Sequence, residues 1–375
     1  MASLLLALAP CLLSATGIGY MMFAAHAVRR LARTAGPPPA PLEPVSLLKP
    51  LHGAEPRLAD NLATFLDQHW PAPIEMVTGV SDPRDPALAV AQRLEARTAI
   101  AAARHGANAK VSNLINMMPS ASYDMIVLSD SDMAVPPDYL ATLAAWLAVP
   151  GTGAVTCLYR GRGDAGFWSV LAAANLSYGF LPNVIVSLSL GAGAACMGST
   201  IALRRETLAA IGGFEAFADI LADDHAIGMA VRRLGLEVRV PPMVLVHACS
   251  EASMAALVRH ELRWAATIRA LRPWGYAGSI VTFPLPLALL AIPFAPLAGL
   301  ALSAAALAVR AFLARRIDRF AGAPTAPLWL LPMRDTLSFL LFVASFFVRS
   351  VDWRGSRLRM ESGGRIAAGA ETDSR

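Results

Sequence analysis

Charge is what this sequence has least of: Asp, Glu, Lys and Arg make up 16% of its 375 residues, against 55% hydrophobic ones. An ordinary soluble enzyme carries about a quarter charged residues, so the balance argues against one. Cysteine is scarce as well. The four present, Cys11, Cys157, Cys196 and Cys249, form neither a metal nor a redox spacing, and a reducing compartment suits them. Interleaved basic and aromatic residues are missing, which argues against nucleic acid as a partner. The net charge of +5 comes mainly from arginines flanking apolar segments, a membrane-surface pattern. Internal repeats are absent, and alanine bias is the only compositional skew.

Long apolar runs, by contrast, are plentiful at both ends. Residues 4–28 hold no Asp, Glu, Lys or Arg over 25 positions, enough to cross a bilayer core of about 30 Å. Arg29, Arg30 and Arg33 follow at once and belong in the cytosol. Ala25-His26-Ala27 resembles a signal-peptidase site, but the run is long and no positive side chain precedes it, which favours an uncleaved anchor. Near the other end, residues 277–309 are 33 positions without formal charge, broken by four prolines, and a second apolar region spans 326–348 around Arg334 and Asp335. Arginine clusters at 310–319 and 349–359 follow them. With every cluster cytosolic, each apolar region re-enters or forms a short hairpin; with single crossings, one cluster lies outside.

Between these ends the pattern is that of a globular α/β domain. Strands are expected at 45–48, 74–80, 125–129, 154–159, 200–203 and 237–246, and helices at 58–66, 87–104, 138–147, 223–234 and 253–271. Such alternation predicts a largely parallel sheet, with ligands beyond the carboxyl ends of its strands. The expected organisation is an anchor with basic flank (1–34), a Pro-rich linker (35–44), the domain with a terminal amphipathic helix (45–273), membrane segments (274–350) and a polar, disordered tail (351–375).

Asp130-Ser131-Asp132 stands at the mouth of the apolar strand Met125-Ile126-Val127-Leu128. Two carboxylates so placed suit Mg²⁺ or Mn²⁺, which take oxygen ligands and complete their shell with phosphates. The plainer alternative is a solvated turn. Asp223-Asp224 stands where a loop enters a helix; one of them can cap that helix while the other serves as a general base. Arg263-Trp264 lies on an arginine-rich amphipathic helix, where a guanidinium suits a diphosphate and an indole suits a sugar or lipid. Lipid phosphates are the alternative partners of those arginines. His247 ends a strand and is a candidate metal ligand or a satisfied core histidine.

Taken in order, these motifs resemble family 2/21-type glycosyltransferases of the GT-A fold, a Rossmann-like architecture, and most closely the ceramide glucosyltransferase-like branch. Val45-Ser46-Leu47-Leu48-Lys49-Pro50 resembles its opening strand, Ser81-Asp82-Pro83 its first aspartate motif, and Lys110-Val111-Ser112-Asn113 the segment before its second. The resemblance implies that Lys49, Pro50, Asp82, Lys110, Asn113, Asp130, Arg263 and Trp264 bind a UDP-sugar. It implies too that Asp130 and Asp132 hold the metal, to which His247 is the further candidate ligand by its strand-end position. Asp224 then becomes the base, Asp223 a shortened stand-in for a glutamate, and Trp264 and His260 neighbours of the acceptor. His260 occupies a position where the branch has Gln or Arg, and residues 178–183 lack a histidine that animal ceramide glucosyltransferases place beside the acceptor. The run Arg259-His260-Glu261-Leu262-Arg263-Trp264 looks more like bacterial hopanoid-biosynthesis-associated glycosyltransferases. That implies an inverting enzyme in a bacterial inner membrane, its domain cytosolic, moving N-acetylglucosamine to a hopanoid. A ceramide acceptor, a processive polysaccharide synthase and a non-catalytic sugar-nucleotide binder are the alternatives.

Overall fold

The computed structural model describes residues 2–53, 55–191, 195–348, 350–353, 356–360 and 366–368. Among the described residues, ten strands build the domain: β1 (Val45–Pro50), β2 (Ile74–Val80), β3 (Arg97–Ile100), β4 (Met125–Leu128), β5 (Met133–Ala134), β6 (Thr152–Val155), β7 (Leu158–Gly163), β8 (Ile201–Arg204), β9 (Glu237–Arg239) and β10 (Val244–Cys249). Seven form one sheet in the order β3-β2-β1-β4-β8-β6-β9, and β8 alone runs against the rest. Every residue of β1 and β4 is buried, as continuous apolar strands covered on both faces should be. A smaller sheet, β5-β10-β7, stands beside it. The fold class is therefore α/β with a mostly parallel sheet, as expected.

Three expected elements break where the backbone cannot continue. The strand expected at 237–246 is two strands, since Pro241 and Pro242 donate no ladder hydrogen bond. The one at 154–159 also splits, into β6 and β7. In both cases the second half leaves the large sheet for the small one. The helix expected at 87–104 ends at Arg93, because Glu95 takes a left-handed conformation with φ 53°, and the β-branched run that follows forms edge strand β3. A stretch left unassigned by sequence, Phe167–Ser189, is helical, with a π-helical turn at Leu176–Phe180.

The N-terminal helix, Ala2–Leu31, ends in Arg29 and Arg30 as expected. It packs along the helices Pro284–Ala291 and Pro296–Phe320, with Ser14 donating to the Pro284 carbonyl at 2.8 Å. Among the described residues, four helices are long and apolar enough to cross a membrane: Leu6–Leu31, Phe167–Ser189, Pro296–Phe320 and Leu328–Ser345. A fifth candidate is the pair Pro273–Thr282 and Pro284–Ala291, bent by 67°. Phe167–Ser189 is two-thirds buried within the protein, which makes it a core element. The tail expected to be disordered carries three short antiparallel strands, Ser350–Trp353, Ser356–Met360 and Ile366–Ala368; the alternating Arg357-Leu358-Arg359-Met360 has the two-residue period of a strand.

Candidate active site

The carboxyl ends of β1 and β4 open into a cavity of about 430 Å³. Of the thirteen residues singled out by sequence, all but Lys49 and Asp82 line it. Two chain segments deliver its aspartates, and a third packs between them. β4 ends at Leu128, so Asp130 and Asp132 project just past the sheet edge. The helix Asp223–Arg233 begins with its two aspartates in the first turn, where the positive helix end favours them. Between them passes the approach to β8, whose Gly198 touches both: its N–H donates to Asp224 Oδ2 at 2.9 Å, and its carbonyl accepts from the Asp130 N–H at 3.2 Å. A Cβ at position 198 would lie 2.6 Å from Asp130 Oδ2, so any larger residue would force the carboxylate or this segment to shift.

Asp224 is held at both oxygens, since Oδ1 accepts from the His225 N–H at 2.7 Å. Burial pushes its carboxyl up to about 6, and the charge of Asp223 pushes the same way. A carboxylate poised there is ionised at neutral pH yet still basic enough to take a proton. Asp132 pairs with His247 Nε2 at 3.2 Å. β10 makes this pairing possible by aligning His247 with Met133 of β5. Burial opposes charge on both partners, but each outweighs it for the other: Asp132 is held low and His247 well above its ordinary range.

Only two of the chain's 32 Lys and Arg residues are lysines, and the fold brings both to Asp130. Lys110 Nζ lies 2.6 Å from Asp130 Oδ1 and 3.5 Å from Asp223 Oδ2. Its helix, Ala109–Met117, is started by Asn108, whose side chain accepts from the Val111 N–H, and is tied to β2 by Asn113, which donates to the Gly79 carbonyl at 2.7 Å. Lys49 does not line the cavity as expected. It ends a strand buried at every position, so its ammonium runs beneath the site, donating to the Asp130 carbonyl at 2.6 Å and lying 3.5 Å from the Phe65 ring centre. Burial drops it to about 7. Its position supports the backbone that presents Asp130. Asp82 also stays off the cavity wall, with its carboxylate bound by the Arg84 guanidinium and N–H on an exposed loop.

Among the described residues no three Asp, Glu, His or Cys side chains converge to hold a metal by themselves. Asp132 Oδ1 is nevertheless buried without a hydrogen-bond partner, and Asp130 faces the same cavity. One or two carboxylates plus substrate phosphates is a usual Mg²⁺ donor set, so the residues fit such an ion when a diphosphate is present.

The opposite wall is the helix Met254–Leu271, whose start is capped by Ser253 accepting from the Ala256 N–H at 3.2 Å. It contributes His260, Arg263 and Trp264. Behind it lies a second, mostly apolar chamber of about 500 Å³, walled by the Tyr20 face of the N-terminal helix and by the C-terminal helices. Phe180, Trp264 and Ile268 line both spaces. Ion pairs between helices close its polar side: Arg334 to Glu261 at 2.8 Å and Arg310 to Asp335 at 2.7 Å.

The family model described as glycosyl transferase family 21 matches residues 9–366. The chain belongs to this family. Ceramide glucosyltransferase 1 of Caenorhabditis elegans is 22% identical over 273 residues, covering 69% of this chain and 57% of the relative; the chain thus spans under two-thirds of that protein's length. A solved mannosyltransferase from Pyrobaculum calidifontis, in complex with GDP-Man and Mn²⁺, superposes with a TM-score of 0.54 at 22% identity, covering 91% of this chain and 98% of its own. That likeness shows a GT-A fold for the family 21 domain. Sequence reading missed Gly198, which touches both Asp130 and Asp224 and belongs to no local pattern.

Proposed function

We propose that this family 21 protein is an inverting, metal-dependent glycosyltransferase that moves a sugar from a UDP-sugar to a membrane-lipid hydroxyl. N-acetylglucosamine is the sugar and a hopanoid the lipid that the residue pattern favours. The observation that carries the lipid reading is the wall shared by the acidic cavity and the apolar chamber. A polar donor fits one side and an apolar acceptor the other, with the reacting hydroxyl reaching past Trp264. The relative that acts on ceramide and the neighbour solved with a nucleotide sugar and Mn²⁺ support the same chemistry.

Asp130 and Asp132 would hold Mg²⁺ or Mn²⁺ together with the donor's phosphates. When bound, such an ion supplies Lewis-acid neutralisation of the diphosphate. Asp224 takes the proton of the acceptor hydroxyl as its oxygen attacks the anomeric carbon from the face opposite the diphosphate. The bond to the diphosphate breaks with its electron pair, and Arg263 meets the departing charge. An α-linked donor then gives a β-glycoside. His247, whose Nε2 lies 3.2 Å from Asp132, would hold the metal beside that carboxylate or orient it.

The helix arrangement supports a cytosolic domain with every arginine cluster on its side. Pro273–Ala291 leads away from the domain and Pro296–Phe320 returns, since Leu313, Ala314 and Ile317 rejoin the core that contains Val45 and Val127. Leu328–Ser345 has both ends at the domain: Leu330 in that core, and Phe346 accepting from Arg269 at 2.9 Å. It lies along the interface, while the two preceding segments form a membrane hairpin. A bacterial inner membrane fits this topology.

Lipid mass spectrometry of cells with and without the chain, supplied with hopanoid polyol and ceramide, tests the proposal. One added N-acetylhexosamine on the hopanoid is expected. A hexose or hexuronic acid on ceramide would shift the acceptor assignment, and no glycolipid would overturn it in favour of a polysaccharide or binding role. Asp224→Asn should lower turnover by about 10²–10⁴-fold with UDP affinity kept; parental turnover would refute the base assignment.

A further inference from the structure

One buried acid beside the cavity has no part in the chemistry above. Glu251, in the turn after β10, has a side chain only 7% exposed, and its Oε1 lies 2.5 Å from His260 Nδ1. Its other oxygen is buried without a hydrogen-bond partner. Burial alone would raise this carboxyl; the hydrogen bond it accepts from His260 outweighs burial and holds Glu251 low, hence ionised. A lone carboxylate is costly to bury unless it has work to do or a firm partner. Here the partner is the histidine at the junction of the two cavities: His260 lines the acidic cavity, its neighbour Glu261 lines the apolar chamber, and Trp264, edge-on to the imidazole at 5.1 Å, lines both.

In a neutral imidazole, a carboxylate that accepts from Nδ1–H selects one tautomer, in which Nε2 is a hydrogen-bond acceptor. That nitrogen does not compete with Asp224 for the reacting proton, because a hydroxyl has one hydrogen to donate and that one goes to Asp224. We propose that Glu251 and His260 form a positioning dyad that accepts a hydrogen bond from a second hydroxyl or amide N–H next to the acceptor's reacting hydroxyl. The dyad thereby selects acceptors with two adjacent donors over simple lipid alcohols. This role rests on the lipid-acceptor reading and names the head-group chemistry that reading left open. Glu251 acts through His260, which makes it a positioning residue.

The test compares kcat/KM for vicinal hexadecanediol and for hexadecanol, with UDP affinity measured by calorimetry on the full-length protein. The parent is expected to favour the diol by about tenfold, the worth of one neutral hydrogen bond. Glu251→Leu and His260→Phe should bring the ratio near one while UDP affinity stays at the parental value, which also reports that each variant is folded. His260→Gln, which keeps a hydrogen-bond acceptor, should recover part of the preference. An unchanged ratio in both variants overturns the dyad, as does a UDP affinity that falls in step with transfer, since the pair would then serve the donor. A parent that glycosylates neither lipid overturns the lipid-acceptor reading itself, and this role with it.

Discussion

Gly198→Ala is the smallest change that tests whether the acids act as one constellation. The added Cβ would lie 2.6 Å from Asp130 Oδ2 and 3.6 Å from Asp224 Oδ2. Real Cβ atoms do not approach oxygen that closely, so either the Asp130 carboxylate or the segment before β8 must yield by roughly half an ångström. Asp130 is pinned by Lys110 at 2.6 Å, and its backbone by Lys49, so the movement disturbs contacts on both sides. Overpacking of this kind costs about 1–3 kcal/mol of stability. The effect on rate should be larger in proportion, because displacing a reacting group by about 1 Å can cost 10²-fold. We expect kcat/KM to fall between about tenfold and a hundredfold, the latter being about 2.7 kcal/mol of barrier. Sugar transfer from radiolabelled donor measures the rate, and thermal unfolding with and without UDP and Mn²⁺ measures the site. Gly278→Ala, whose Cβ would meet nothing within 4 Å, is the matched control. Full activity in Gly198→Ala would refute the idea that the spacing of Asp130 and Asp224 sets the rate.

Two further outcomes follow from the charges. Asp224 must be a carboxylate to act as base, and its pKa is raised to about 6, so turnover should be low at pH 5, rise through about 6 and level off above 7; a profile flat from pH 5 to 7 would remove Asp224 from the proton transfer. Lys110 bridges Asp130 and Asp223 where a metal's charge would fall, so Lys110→Met should bind Mn²⁺ alone at least about tenfold tighter in an electron-paramagnetic titration, and affinity no greater than parental would show that the ammonium does not compete.

How far the sequence could be read depended on how local each signal was. The apolar run ending at Leu128 marked both a buried strand and the acids beyond it, because burial and strand-end position are written in neighbouring residues. Asp223-Asp224 and the helix carrying Arg263 and Trp264 were visible for the same reason. The strand expected at 237–246 was drawn too long across Pro241-Pro242, and with it went the small sheet that sets His247 beside Asp132. Lys49 was assigned to the cavity on its motif, while its direction depends on β1 being covered on both faces. Glu251 precedes His260 by nine positions, with a helix start between them, and no period links the two.

By itself, then, the sequence determined the α/β class, the apolar ends, the order of the acidic motifs and the family. These rest on composition, on short periods and on residues adjacent in the chain. Tertiary structure alone decided that two lysines meet at one aspartate, that Gly198 fits between two carboxylates, and that an apolar chamber shares a wall with the acidic cavity. Each of these joins residues from separate strands and helices. Their distances are set by how the sheets stack and where the helices cross, which no spacing along the chain encodes.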